Sequence, residues 1–310
     1  MGPGFCMGPL VEEKTPGVFL EKERISRGQM AMYCELHTRT NFSFLQGASH
    51  PDELVRQAAE IGLAGIAITD EASVAGVVRA HVTAKELGIK LIIGAEIVPS
   101  DSLPVVLWAS DRPSYGRLCR LITKGRCRSQ KGSYLLTFED IAEHSEGLLA
   151  GVIPQACEGR SILQHLHQYR SVFGQRGYLL GEILLGPNDR RQIEWLQSLS
   201  RRSRLPLVAA GNVFYHHPSR AALGDILMAI RLGTTVDALG EHRFINAQRY
   251  LKSFEEIRAL WHRYPDAVAR TEEIADLCHF SLDDLRYEYP RELSPPGETP
   301  FGYLQHLTWE

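Results

Sequence analysis

Long hydrophobic runs are missing from this chain. Stretches such as Leu91-Ile92-Ile93 and Pro104 to Ala109 fall far short of the roughly 18 apolar residues that cross a bilayer. The first residues also lack the basic-then-apolar pattern of a secretory signal, so no membrane partner is expected and the cytoplasm is the expected compartment. Paired cysteines are missing as well. Cys6, Cys34, Cys119, Cys127, Cys157 and Cys278 are scattered with no C-x-x-C spacing, the pattern of free thiols in a reducing cytoplasm. No excess of one charge exists: 34 Lys and Arg stand against 37 Asp and Glu, a net charge of −3. Bulk charge therefore gives no argument for non-specific nucleic-acid or membrane binding, and only a local patch remains open. There is no G-x-S-x-G, no Walker loop, no G-x-G-x-x-G after a strand and no internal repeat, which removes the readable nucleophile and nucleotide-cradle motifs.

What is present is an ordinary globular composition, 44% hydrophobic and 23% charged over 310 residues. That length suits two domains, or one α/β barrel of about 200–250 residues with appendages. Residues 1–31 hold several Gly and Pro without periodicity and read as a mobile leader; Met30 and Met32 are candidate natural starts. From residue 33 apolar runs of strand length recur at Tyr33–His37, Gly65–Thr69, Lys90–Val98, Pro104–Ala109, Leu148–Ile153, Gly177–Leu184 and Pro206–Ala210. Helical segments separate most of them, with start signals at Ser49, Thr137, Asn188 and the capping box Ser253-x-x-Glu256. The alternation predicts βα units and a mainly parallel sheet. A closed or nearly closed barrel fits at least as well as an open doubly wound sheet. Helices are expected at 219–232, 253–263 and 265–277, then a Pro-rich tail from Tyr289 to Pro300. Thr308-Trp309-Glu310 looks like the opening of a further helix, as in a fragment of something longer. The expected parts are a barrel domain over 32–285 and a linker over 286–310.

In α/β barrels the site lies at the carboxyl ends of the strands. Those positions hold His37, Asp70-Glu71, Glu96, Glu182 and Asn212. A carboxylate inside an apolar strand is expensive unless paired, protonated or metal-bound. One imidazole with several carboxylates suits Zn²⁺, Mn²⁺ or Mg²⁺; the alternative is a set of satisfied structural polar groups. A basic segment, Lys124-Gly-Arg126-Cys-Arg128-Ser-Gln-Lys131-Gly, reads as a flexible loop able to contact phosphates. Arg201-Arg202-Ser-Arg204 ends a helix, where cations oppose the dipole. His165-x-His167 reads as surface, His216-His217 as a solvated loop pair, and Glu272-Glu273 and Asp283-Asp284 as solvated faces.

Three long segments go further. Glu35-Leu-His-Thr-Arg-Thr-Asn-Phe-Ser-Phe-Leu-Gln-Gly-Ala-Ser49, Ala67 to His81 and Leu87 to Glu96 resemble, in order, three motifs of the polymerase and histidinol phosphatase (PHP) domain. Leu118 to Arg126, Leu205 to Val213 and the passage from Tyr289 to Glu310 continue the likeness. The form resembles error-prone bacterial C-family DNA polymerases, relatives of the DNA polymerase III alpha subunit. The resemblance implies a seven-stranded distorted β/α barrel with metal ligands at its mouth, followed by helices and a Pro-rich passage into a truncated polymerase palm. His37, Asp70 and Glu96 match ligand positions. Arg39 stands where the family has the second His of H-x-H, Glu71 where it has the His of D-H, and Pro104 lies near another expected His. Asn212 and Phe214 stand in place of an Asp-x-His pair. A guanidinium cannot ligate a metal and a phenyl ring has no lone pair. The barrel therefore reads as a PHP scaffold with a vestigial metal site (His37, Asp70, Glu71, Glu96, Asn212). Arg39 is the substituting cation, expected within salt-bridge distance of Asp70, Glu71 or Glu96, with Asp70 and Glu96 converging on one spot. Little bound metal is expected, held weakly at best through His37, Asp70 and Glu96. No cofactor is expected in this chain, while the whole polymerase would use Mg²⁺ held by palm aspartates beyond Glu310. Lys124, Arg126, Arg128 and Lys131 are the expected DNA contacts. The implied partners are DNA, through the whole polymerase, and other translesion or replication proteins. The alternatives are a metal-dependent PHP phosphoesterase or 3′-5′ proofreading exonuclease, and a pure interaction module.

Overall fold

The computed structural model describes residues 33–155, 161–286 and 294–309. Seven strands form one sheet in sequence order: β1 (Cys34–Glu35), β2 (Gly65–Ile68), β3 (Lys90–Ile97), β4 (Val105–Ala109), β5 (Leu148–Val152), β6 (Gly177–Glu182) and β7 (Leu207–Ala210). All seven apolar runs become strands. The sheet is mixed, because β4 runs antiparallel to both β3 and β5, while the other neighbouring pairs are parallel. The reason is local. Only residues 98–104 join β3 to β4, too few for the dozen or more that a parallel crossover needs.

Pairing continues past the short first strand and closes the sheet on itself. The Val213 N–H donates to the His37 carbonyl at 2.9 Å, and the Arg39 N–H to the Val213 carbonyl at 2.8 Å. Likewise the Glu96 N–H donates to the Asp70 carbonyl at 3.2 Å. His37, Asp70 and Glu96 therefore sit on strand extensions at one end of a closed barrel.

Alternation divides each strand into two faces. One face (Ala67, Ile92, Val106, Trp108, Leu149, Leu180 and Val208) forms a buried cluster inside the barrel. The other (Ile66, Ile93, Val105, Leu179 and Leu207) packs against the helices. Those helices are α1 (Pro51–Glu60), α2 (Val77–Leu87), α3 (Arg112–Cys127), α4 (Phe138–Glu143), α5 (Ile162–Phe173) and α6 (Asp189–Ser203), followed by α7 (Ala221–Leu232), α8 (Phe254–Leu260), α9 (Pro265–Leu277) and α10 (Pro300–Trp309). Helix α9 lies at the amino ends of β1 and β7. There Thr271 Oγ1 accepts from the Cys34 N–H at 3.1 Å, and Arg270 donates to the Leu207 carbonyl at 2.8 Å.

The interior is tight at Gly151. A Cβ there would stand 2.4 Å from Trp108 Cη2 and 2.8 Å from Leu180 Cγ. Gly151→Ala is expected to cost about 1–3 kcal/mol through overpacking, read as a lower urea midpoint. An unchanged midpoint would mean that the Trp108 ring yields freely.

Several local expectations are corrected. The basic segment is not a loop up to its end: Lys124, Gly125 and Arg126 belong to the last turns of α3. Gly125 is there because a Cβ would meet Leu136 Cγ at 2.7 Å. His50, not Ser49, caps α1; the Ser49 hydroxyl instead accepts from the His216 N–H at 3.0 Å and meets its Nδ1 at 2.8 Å. His165 is buried on the face of α5 that carries Leu166 and Tyr169, with its Nδ1 3.1 Å from Ser102 Oγ; His167 is exposed. The tail helix α10 begins at Pro300, so Thr308 and Trp309 lie in a helix already under way rather than at the opening of one. The expected leader, Cys6 and Cys157 fall outside the described residues; Cys34, Cys119, Cys127 and Cys278 are free thiols. Among the described residues no helix is long and apolar enough to cross a membrane.

Candidate functional site at the barrel mouth

His37 is the centre of the mouth. Its imidazole is fully buried, with Nε2 3.0 Å from Glu96 Oε2 and Nδ1 2.7 Å from Glu182 Oε1. Glu96 shares an interior face with Ile92, and Glu182 with Tyr178 and Leu180, so the register of β3 and β6 delivers both carboxylates to the same ring. Burial works against a charged imidazole. The hydrogen bonds to Glu182 and Glu96 outweigh it and raise the His37 pKa to about 9. At neutral pH the ring is an imidazolium donating to a carboxylate on each side.

Arg39 lies on Glu96. Its Nε donates to Glu96 Oε2 at 2.7 Å and its Nη2 reaches the same oxygen. Burial alone would raise the Glu96 pKa, but the Arg39 charge and His37 hold it down at about 2. The remaining donors start a relay across the mouth. Arg39 Nη1 donates to Gln46 Oε1 at 2.9 Å, Gln46 Nε2 to Glu71 Oε2 at 2.7 Å, and the Tyr134 hydroxyl to Glu71 Oε1 at 3.1 Å. Glu71 is thus linked to Arg39 through an amide rather than directly.

Asp70 goes elsewhere. Its carboxylate accepts from the Thr40 N–H (2.7 Å), Thr40 Oγ1 (2.9 Å), the Ser43 N–H (3.1 Å) and Ser43 Oγ (2.6 Å). Burial still pushes its pKa up against these bonds. Arg39 thus makes the expected ion pair with one of the three carboxylates, Glu96, while Asp70 does not share that cation and instead anchors the 40–43 loop, with three donors on Oδ1 and one on Oδ2. Asn212, held at a φ of 47° that asparagine tolerates, donates from Nδ2 to Glu182 Oε2 at 2.6 Å.

Phe214 is flanked by cations. The Arg39 guanidinium stands 4.9 Å from its ring centroid and that of Arg249 5.1 Å, while Arg249 also covers Phe244 at 4.3 Å. Arg249 escaped the sequence reading because it sits in an irregular segment after α7 with no periodic signal. Glu35 escaped it too. That buried carboxylate accepts from the Tyr33 hydroxyl (2.8 Å) and the N–H groups of His37 and Gly211 (2.9 Å each), tying β1 to the end of β7.

The four basic residues of the 124–131 segment are not gathered at the mouth. Lys124 pairs with Asp140 at 2.7 Å and with Glu143, and Arg128 pairs with Asp140 at 2.6 Å. Arg126 donates to the Ala72 carbonyl at 3.1 Å and covers the Tyr134 ring. Lys131 is exposed. Among the described residues no three His, Cys, Asp or Glu side chains are grouped so as to hold a metal ion.

The profile of the PHP domain matches residues 35–182. These residues are a PHP domain. The PHP segment carries His37, Asp70, Glu71, Glu96 and Glu182, whereas Asn212, Phe214 and Arg249 reach the same mouth from beyond it. The chain is 51% identical over 289 residues to an error-prone DNA polymerase of Rhodopirellula baltica, covering 90% of this chain and 25% of the relative. It is 46% identical over 281 residues to one of Aromatoleum aromaticum, covering 89% of this chain and 26% of that protein. The chain thus spans about a quarter of the length of these relatives. Among solved structures, an amidohydrolase from Chromobacterium violaceum aligns with a TM-score of 0.47 at 16% identity, over 59% of this chain and 87% of the other.

Proposed function

We propose that this PHP barrel is the amino-terminal domain of an error-prone DNA polymerase, working in the cytoplasm in translesion DNA synthesis, and that it serves the polymerase structurally rather than as a metallohydrolase. The likeness to the Rhodopirellula polymerase over 90% of the chain supports the first part. The observation that carries the second is Arg39 on Glu96. The residues of the mouth do not fit the metal cluster that PHP resemblance implies. Both His37 nitrogens are taken by carboxylates, Glu96 is neutralised by a guanidinium, both Asp70 oxygens already accept from its loop, and Phe214 offers a ring already covered by two cations. A site whose negative charge is compensated by fixed cations has lost the electrostatic attraction for a divalent ion. Nucleotidyl transfer, with its Mg²⁺, belongs by this reading to a palm outside the chain.

Elemental analysis tests the proposal. The purified chain is expected to carry well under one equivalent of Zn, Mn or Fe, and to release no nucleotide from 3′-ended single strands. Two or more metal ions per chain, or nuclease activity that chelation abolishes, would establish the phosphoesterase or exonuclease reading in its place. Arg39→His, which restores one ligand type, is expected to gain weak metal uptake without nuclease activity.

A further inference from the structure

The local account of Arg201-Arg202-Ser-Arg204, cations opposing the dipole at the end of α6, holds for that helix alone. The fold adds Arg263 from the turn before α9 and Arg270 from α9 itself. A cavity of about 390 Å³ lies between α6, the start of β7 and the start of α9, and Arg201, Arg263 and Arg270 all line it. Arg270 is oriented by one bond, from Nη1 to the Leu207 carbonyl, which leaves most of its five donors unused. Arg201 and Arg263 have no ion-pair or hydrogen-bond partner among the described residues. The single carboxylate of the lining, Asp266, pairs with none of the three.

Three guanidiniums against one carboxylate leave two positive charges uncompensated in one concavity. Tyr264 and Gln197 add neutral donors at its wall, and the first turn of α9, a 13-residue helix, opens on it with its positive dipole end. The contrast with Lys124 and Arg128 is direct, since those cations already rest on Asp140 and Glu143. Like charges brought together from α6 and α9 repel unless an anion joins them. Guanidinium forks match tetrahedral oxyanions in a bidentate way. We propose that this cavity is a phosphate-binding site that takes the backbone of DNA. The choice of DNA among phosphate compounds rests on the polymerase reading above; the phosphate chemistry does not.

The test is an anisotropy titration of the 310-residue chain with a labelled single-stranded oligonucleotide over a range of salt. Arg201→Ala/Arg263→Ala removes two exposed side chains and is expected to lower the melting temperature by no more than about a few degrees, the cost of losing one cation from the carboxyl end of α6. Its affinity at low salt should fall at least about tenfold, and the slope of log K against log salt should become less negative by about 1.4, two phosphate contacts at about 0.7 each for a single strand. Arg79→Ala/Arg117→Ala makes the same charge change at cations paired with Asp52 and Glu146, and is expected to leave the slope unchanged. A cavity variant with the wild-type slope, an equal fall in the control, or no salt-dependent binding by the wild type overturns the site. Displacement of the oligonucleotide by micromolar deoxynucleoside triphosphate would overturn DNA as the source. None of these results bears on the metal content of the mouth, so failure here is distinct from failure of the polymerase-domain reading.

Discussion

Arg39→Ala is expected to destabilise the protein by about 3–5 kcal/mol, the cost of leaving a buried carboxylate without its partner. The Glu96 side chain is 3% exposed and that of Arg39 only 16%, so water cannot replace the guanidinium without opening the mouth. Removing Arg39 also withdraws the donor to Gln46, which in turn holds Glu71, and one of the two cations on Phe214. Arg39→Lys is expected to recover only part of the loss, since an ammonium cannot serve Glu96 and Gln46 with one planar fork. Urea unfolding of Arg39→Ala, Glu96→Gln and the double variant closes a thermodynamic cycle. A loss below about 1 kcal/mol with no coupling would show a solvent-screened pair and would undermine the assignment of Arg39 as the fixed cation of the site.

The second large effect is a loss of stability in mild alkali. The His37 pKa stands at about 9 in the folded protein against 6.5 for the free side chain, so the fold binds this proton more tightly than the unfolded chain does. Its contribution is fully present below pH 6.5 and disappears as pH rises through 9. Each tenfold gain in proton affinity on folding is worth about 1.4 kcal/mol. The whole contribution is therefore about 3 kcal/mol, and about half of it goes between pH 6.5 and 8. Lys252 acts in the opposite sense. Burial lowers its pKa to about 8, so its desolvation cost is relieved only as pH rises above that value, leaving pH 6.5 to 8 as the window where His37 dominates. The measurement is the urea midpoint against pH for the wild type and for His37→Gln, which cannot titrate. The wild type should fall relative to the variant across that window; parallel curves would mean a neutral ring. In acid the mouth depends on Glu96, whose depressed pKa gives stability that is lost as pH falls toward 2.

The seven strands, most helix starts and the end of the barrel where polar residues gather were legible in the sequence, because strand length, apolar runs and capping residues are properties of neighbours along the chain. Thr137 and Ser253 cap helices as their spacing requires, and His37, Glu96 and Glu182 do share the mouth. Alternation of strands and helices pointed to parallel neighbours, and β4 departs from it where the connection before it is short. Ordered motifs between Glu35 and Glu96 carried the PHP resemblance, since each keeps its residue types at fixed separations. Pattern along the chain does not say which partner a side chain meets across it. Asp70 and Glu96 have equivalent strand-end positions, yet one turns to Thr40 and Ser43 and the other to His37 and Arg39. The choice rests on angstrom differences between elements that the chain order does not encode. Lys124 and Arg128 read as free charge until α4 brings Asp140 against them, and His165 reads as surface until Ser102 and the barrel cover it. Arg201 and Arg270 belong to separate helices and share a cavity only after those helices pack on β7. Faces and element types follow from local periodicity, whereas charge pairing and cavities are set by distances between elements far apart in the chain, which only the closed barrel with its helices determines.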